Sequence, residues 1–387
     1  MNHTLQLFLK RPTTWIGIAT ALMFQLIFSV VWMTGYNGVN DRIHNLKVGI
    51  VNEDPEFGAK IAQQLQETLP VRTETFGTEA EAQRKLNDRE LQMVIHIPAT
   101  FTADASAADK TATIAYTLNE SNSALIKSMM TSVSAQVTAS VNKVAAGQSI
   151  QQALAQANLP ADQAAAAAAA LSERVSGKVT SVNPIDGMNN QMVPMMLVLA
   201  SFVGAMIMGM NLEQSSMAAA AAGAGRWRRF GARALINVAA AVFVSLVGST
   251  MVLALGGQSV HGFAALWGML FLILLTFMFV TQMFLLLFGL GGMLFNILLL
   301  SAQLVSSGAM VPRELLSGFY LNLGKALPAT YAVEGGMNVL FGGPGVGHAA
   351  GALLAIAAVA VAVGALAVTL KPQRRPQAAA VPTPAAG

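Results

Sequence analysis

Long uncharged stretches organise the second half of the chain. No Asp, Glu, Lys or Arg occurs from Gly187 to Leu212, from Ala234 to Pro312, or from Gly335 to Leu370. A membrane-crossing helix needs about 20 apolar residues, so the middle gap has room for three spans and each of the others for one. Helices in a soluble core are shorter and keep a polar stripe. Turn residues divide the middle gap: Gly256, Gly257, Gln258 and Ser259, then Gly289, Gly291 and Gly292. Spans are predicted over 193–210, 234–255, 264–288, 293–310 and 349–370. A further span over 14–33 is bracketed by Trp15 and Trp32. At 1.5 Å per residue these lie about 26 Å apart, which suits aromatic side chains at two interfaces. Lys10 and Arg11 precede this span, but its apolar stretch is longer than that of a cleaved signal peptide and no A-x-A site follows. It reads as an anchor.

Between the first two spans the periodicity changes. Strands are predicted over 47–51, 71–76, 91–97 and 112–118, with helices over 59–68 and 78–87. Such alternation reads as a small α/β sandwich. Ile126, Met130, Val133, Val137, Val141 and Val144 then recur at three- and four-residue steps, the stripe of one helix. Gly147 is expected to end that helix, and Pro160 to break the next stretch, which contains the alanine run Ala164–Ala170. The helical part reads as a hairpin or stalk that packs on itself, on the α/β part or on a second subunit. The expected fold is an α-helical membrane protein with about six transmembrane helices. An extracytoplasmic α/β domain plus helical hairpin is inserted between the first and second spans. The boundaries are 1–34 for the tail and first span, and 35–190 for the extracytoplasmic domain, with its α/β part at 45–120 and helical part at 121–180. The five-helix transmembrane domain covers 191–371, and 372–387 is a Pro- and Ala-rich cytoplasmic tail expected to be disordered.

Composition agrees: 54% of residues are hydrophobic and 11% charged, against about 25% charged in soluble proteins. Three basic clusters fall on one side of a six-span arrangement: Lys10 with Arg11; Arg226, Arg228, Arg229 and Arg233; and Lys371, Arg374 and Arg375. Both termini are therefore expected in the cytoplasm of a multi-pass protein of the cell membrane. The net charge of +4 is accounted for by these interfacial residues and calls for no nucleic acid. With no cysteine, thiolate metal sites and cysteine nucleophiles are excluded.

Candidate chemistry is sparse. His3, His44, His96, His261 and His348 lack metal-binding spacing and read as surface or interfacial residues. Gly342 to His348 lacks the Lys-Ser/Thr ending of a phosphate loop and reads as a turn. Glu53 and Asp54 read as a solvated turn before Pro55. No cofactor, metal or catalytic residue is expected. Within the spans, Asn296, Gln303 and Ser307 share a face of the fifth, with Gln282 in the fourth and Gln25 in the first. These either line a substrate path or hydrogen-bond between helices. Met192, Met195, Met196, Met206, Met208 and Met210 suit either packing or contact with varied apolar ligands.

Gly308 through Pro312, then Leu315 and Leu316, then Leu327-Pro328-Ala329-Thr330-Tyr331, then Gly342-Gly343 resemble the outer re-entrant segment of type-2 ABC exporter permeases. Lys47 to Asp54 and Val94 to Thr102 are similar to the extracytoplasmic domains of such permeases and of the related phage-infection-protein (YhgE/Pip-like) family. The resemblance implies a re-entrant segment at 312–345 with Pro312, Leu327, Pro328 and Tyr331 as motif residues. It also implies an export function for an apolar or amphiphilic substrate, a separate cytoplasmic ABC ATPase and a homodimer. The alternative is a membrane-anchored surface protein, a phage receptor or secretion component, without ATP coupling. Glu213 fits the first position of the family's cytoplasmic loop, whereas the Gly-Thr pair and Pro of that loop are missing. Glu213, Arg226, Trp227, Arg228 and Arg229 are the candidate ATPase contacts.

Overall fold

A computed structural model describes Leu22, residues 26–28, 30–107, 110–155 and 174–370; side chains of 147–155 are not among those described. Gln25, Trp15, His3, Pro160, the alanine run and the C-terminal tail lie outside these residues, as does most of the expected first span. Its described end is a short apolar helix, α1 (Leu26–Gly35).

The sheet region follows α1. Its elements are β1 (Lys47–Asn52), α2 (Phe57–Thr68), β2 (Arg72–Phe76), α3 (Glu79–Asn87), β3 (Met93–Ile97), α4 (Phe101–Ser106), β4 (Ala112–Asn119), α5 (Ala124–Ala155) and β5 (Val175–Val182). The strands form one sheet in the order β2-β1-β3-β4-β5, parallel except at the β3–β4 pair. Because side chains alternate across a strand, Val48 and Ile50 face α2, α4 and α5, whereas Val51 faces α3. The predicted stripe on α5, with Ile126, Met130, Val133, Val137 and Val141 all buried, closes the larger of these two cores.

Two expectations for the helical half fail. Gly147 does not end its helix, since α5 continues to Ala155; one glycine costs about 1 kcal/mol, which a long helix tolerates. Residues 175–182 are not helical but form β5, which pairs with β4 from Ala112–Val175 to Asn119–Val182. Val175, Val179, Thr180 and Val182 are β-branched residues suited to that pairing. Asp54 corrects a third. It is 2% exposed rather than solvated. Its Oδ1 accepts from the amides of Glu56 and Gly58 and from Thr102 Oγ1, and its Oδ2 accepts from the Thr102 amide. One carboxylate thus caps the N-termini of both α2 and α4.

The remaining helices are α6 (Gly187–Ala221), α7 (Arg226–Ala254), α8 (Gly262–Phe288), α9 (Gly292–Ser306), α10 (Gly318–Ala326), α11 (Pro328–Phe341) and α12 (Gly347–Leu370). Among the described residues, four apolar stretches are long enough to cross a membrane: α6, α7, α12 and the 45 residues Gly262–Ser306 that hold α8 and α9. The last is doubled back at a 3₁₀ turn over Gly289–Gly291. Asn296 Nδ2 donates to the Thr281 carbonyl at 3.2 Å, whereas a straight helix would set these residues about 22 Å apart. Glycine is required at the fold: a Cβ on Gly292 would lie 2.3 Å from the Phe284 carbonyl oxygen.

Candidate functional site

Three helix faces converge on one cavity of about 570 Å³. On α6 they present Asn189, Val193, Met196, Ala200, Gly204 and Met208; on α7 Val244, Gly248 and Met251, with Leu255 just past its end; on α8 Leu270, Leu274 and Met278. The steps of three and four residues place each set on one side of its helix. No lining residue is charged. α8 forms the floor, and α6 and α7 form the walls. Met196, Val244 and Met251 on the walls are 46%, 44% and 51% exposed, so the cavity is open between them.

Polar ties hold the walls together at each end. On the sheet side, Gln258 after α7 donates its amide to Asn190 Oδ1 at 2.7 Å and its Nε2 to the Pro184 carbonyl at 2.8 Å, and its Oε1 accepts from the Asp186 amide. At the far end, Arg233 of α7 donates to Glu213 of α6 at 2.5 Å, and Arg229 Nη1 donates to the Ser216 carbonyl at 3.3 Å. Arg233 is 4% exposed, and its Nε and Nη2 have no partner.

Of the polar residues expected to line a path, the four that are described, Gln282, Asn296, Gln303 and Ser307, do not border this cavity. Gln282 accepts from Asn237 Nδ2 at 2.6 Å, tying α8 to α7. Ser307 Oγ donates to the Leu304 carbonyl and accepts from the Ala309 amide, a local cap after α9. Asn296 is held by Thr281 through Nδ2, while its Oδ1 is unpartnered. Gln303 is fully buried with neither Oε1 nor Nε2 partnered. Of the methionines singled out in the sequence, Met196 and Met208 reach the cavity. Sequence reasoning missed Gly204 and Gly248, whose small size in otherwise apolar helices makes room there, and Asn237 and Arg233 as internal partners.

The candidate ATPase contacts sit at the α6–α7 turn. Glu213 is taken up by Arg233, Arg226 Nη1 donates to the Thr369 carbonyl of α12, and Arg229 binds Ser216. Trp227 is 49% exposed and meets Phe230 edge to face, and Arg228 is exposed.

The motif residues assemble a different feature, the bracket under the sheet. Pro312 precedes a 3₁₀ turn, Leu327 precedes α11 and Pro328 starts it, where a missing amide costs nothing. Tyr331 Oη donates to the Lys325 carbonyl at 2.7 Å. Arg42 Nε donates to the Leu315 carbonyl at 2.6 Å, and Leu315 itself packs into the sheet core. Beyond α11 the glycine loop is a turn, and it anchors the sheet region. Arg89 Nη2 and Ser121 Oγ both donate to the Gly342 carbonyl. Burial lowers the Arg89 guanidinium to about 10, partly offset by Glu334, so it stays charged at neutral pH. Among the described residues no group of acidic and histidine side chains could hold a metal.

Paired apolar helices, an uncharged cavity between them and a sheet region bracketed at one end define the architecture of a multi-pass membrane protein. The chain belongs to the ABC-2 transporter family: the family model described as ABC-2 family transporter protein matches residues 15–369. Neither a curated protein nor a solved structure matches it.

Proposed function

We propose that the chain is the permease subunit of an exporter that moves an apolar or amphiphilic substrate out of the cell, driven by a separate cytoplasmic ABC ATPase. The observation that carries this reading is the uncharged cavity of about 570 Å³ among α6, α7 and α8, a size suited to small-molecule ligands. In this reading the sheet region is an extracytoplasmic domain, the chain spans the membrane six times, the segment 312–345 is re-entrant from outside, and both termini are inside. The basic clusters favour that orientation. Trp227 and Arg228 present an aromatic and a cationic anchor to the ATPase, the residue types that dominate partner sites. Two copies assemble to complete the transporter, as the family resemblance implies.

The test is co-reconstitution of the full chain with an ABC ATPase encoded beside it. Amphiphiles are expected to raise ATP turnover only when this chain is present. An ATPase that neither binds the chain nor responds to amphiphiles through it would overturn the reading.

A further inference from the structure

The cavity has the proportions of a slot. From Asn189 to Met208 along α6 is about 28 Å at 1.5 Å per residue, close to the hydrocarbon thickness of a bilayer, about 30 Å. Its uncharged lining, drawn out along the helix, suits an extended hydrocarbon chain. Both ends are tied, by Gln258 with Asn190 and by Glu213 with Arg233, so the way in is sideways between the walls. The half-exposed Met196 and Met251 border that opening. Pro194 deprives the Asn190 carbonyl of its helical donor at the sheet-side end of α6. Asn189 there is the exposed polar residue of the lining.

The slot is kept open by glycine. A Cβ built on Gly204 would meet no heavy atom within 4 Å, and one on Gly248 would meet only Leu270, at 3.0 Å. An empty apolar slot facing lipid would forfeit its packing contacts along its whole length. Flexible methionines suit a chain that is itself flexible.

We infer that this slot binds one acyl chain of a membrane lipid, taken in sideways from the bilayer, with the headgroup left beside Asn189. The transported amphiphile is then one that presents a hydrocarbon chain. Only the last step rests on the transport reading; occupancy of the slot does not require ATP.

The experiment uses the full chain in phosphatidylcholine nanodiscs doped with a phosphatidylcholine that carries a diazirine on one acyl chain. After irradiation, adducts are mapped by peptide mass spectrometry. Adducts are expected at Met196, Met251 and Leu274, and Gly204→Leu and Gly204→Phe should each reduce them severalfold. Adducts on Phe243, an outward residue of α7 that is 66% exposed, should be unchanged in both variants and so report that the helix is still in place. Labelling confined to Phe243 and other outward residues would overturn the inference. So would efficient disulfide formation between two Met251→Cys copies, which would put a second subunit in the opening. Labelled lining residues in a protein that supports no ATP-driven export would uphold the slot and remove the export reading instead.

Discussion

Arg89 and Gly342 stand 253 residues apart in sequence, and the guanidinium Nη2 of one donates to the carbonyl of the other at 3.0 Å. Both have positive φ, 62° and 95°. The same arginine holds Ser121 through Nε and Nη2, and Ser121 Oγ reaches Gly342 as well. Two backbone positions that L side chains rarely adopt meet at one buried charge. Removing the charge leaves the Gly342 carbonyl with a single donor, and hydrogen bonds from charged groups contribute about 1.5–3 kcal/mol. Arg89→Ala is expected to destabilise the protein by about that much, read by thermal unfolding, and to speed proteolysis between the sheet region and α6. Gly342→Ala should do likewise, because its Cβ would lie 2.8 Å from Asn183 Oδ1. Unchanged melting in both variants would remove the anchor.

Asp54 sets the acid limit of the sheet region. Burial alone would raise its carboxyl, but donors from Thr102, Gly58 and Glu56 outweigh it and hold it below the usual range. A folded value below the unfolded one means the contribution is complete above the unfolded pKa and is lost as pH falls through the folded one. Melting temperature should therefore drop below about pH 4. Asp54→Asn should cost about 1–2 kcal/mol at pH 7 and flatten that acid limb. An identical acid limb in the variant would refute the assignment.

Two glutamines in neighbouring helices should respond oppositely. Gln303→Leu removes a buried amide that has no partner and is expected to raise stability by about 1 kcal/mol or more. Gln282→Leu strands Asn237 Nδ2 and should lower it by about 1–3 kcal/mol. If Gln303 serves transport, its leucine variant will also lose export while melting higher; a stabilised variant with full export assigns the residue no part in the path.

At the α6–α7 turn, Glu213 and Trp227 are expected to separate folding from docking. Glu213→Ala leaves Arg233 buried without its carboxylate, a change that costs about 3–5 kcal/mol for buried pairs, and should reduce the amount of protein in the membrane. Trp227→Ala should leave abundance intact and weaken co-purification with the ATPase. Equal co-purification by wild type and Trp227→Ala would place the ATPase contact elsewhere.

The chain has no cysteine of its own, so orientation can be read with single substitutions. Ser106→Cys in α4 should react with an impermeant maleimide on intact cells, whereas Ser215→Cys near the α6–α7 turn should react only after permeabilisation. Both serines are exposed. Labelling of both on intact cells would contradict the six-span orientation.

What the sequence made legible was local. Four strands and the helices α2, α3, α8, α9 and α12 fall within a few residues of where alternation, charge gaps and glycine turns put them, whereas α4 was not foreseen and α6 and α7 run well past the apolar spans that marked them. β5 was not legible, because Val175 to Val182 acquire their strand identity from β4, far back in the chain. Asp54 looked solvated because its donors come from Gly58 and from Thr102 in a different helix. The cavity needs three helix faces to be brought together, and its plainest trace in the sequence, glycines inside apolar helices, also marks ordinary close packing. Gln303 and Gln282 read alike in sequence and differ only in that Asn237 stands opposite one of them.

The short connection from β5 to α6 has a mechanical meaning. Residues 183–186 join the sheet's edge strand to a wall of the slot, and all four are fastened, Pro184 through its carbonyl, which accepts from Gln258 Nε2. Asn183 donates to Asn87 and Asn119, the Ile185 amide to Glu120, and the Asp186 amide to Gln258. Glu120 is in turn held by Lys127 and Ser181. Sheet and helix are coupled in series like a handle on a shaft, with no slack in the joint. A molecule that gripped the sheet region and turned it would turn α6, and with it the width of the opening between α6 and α7.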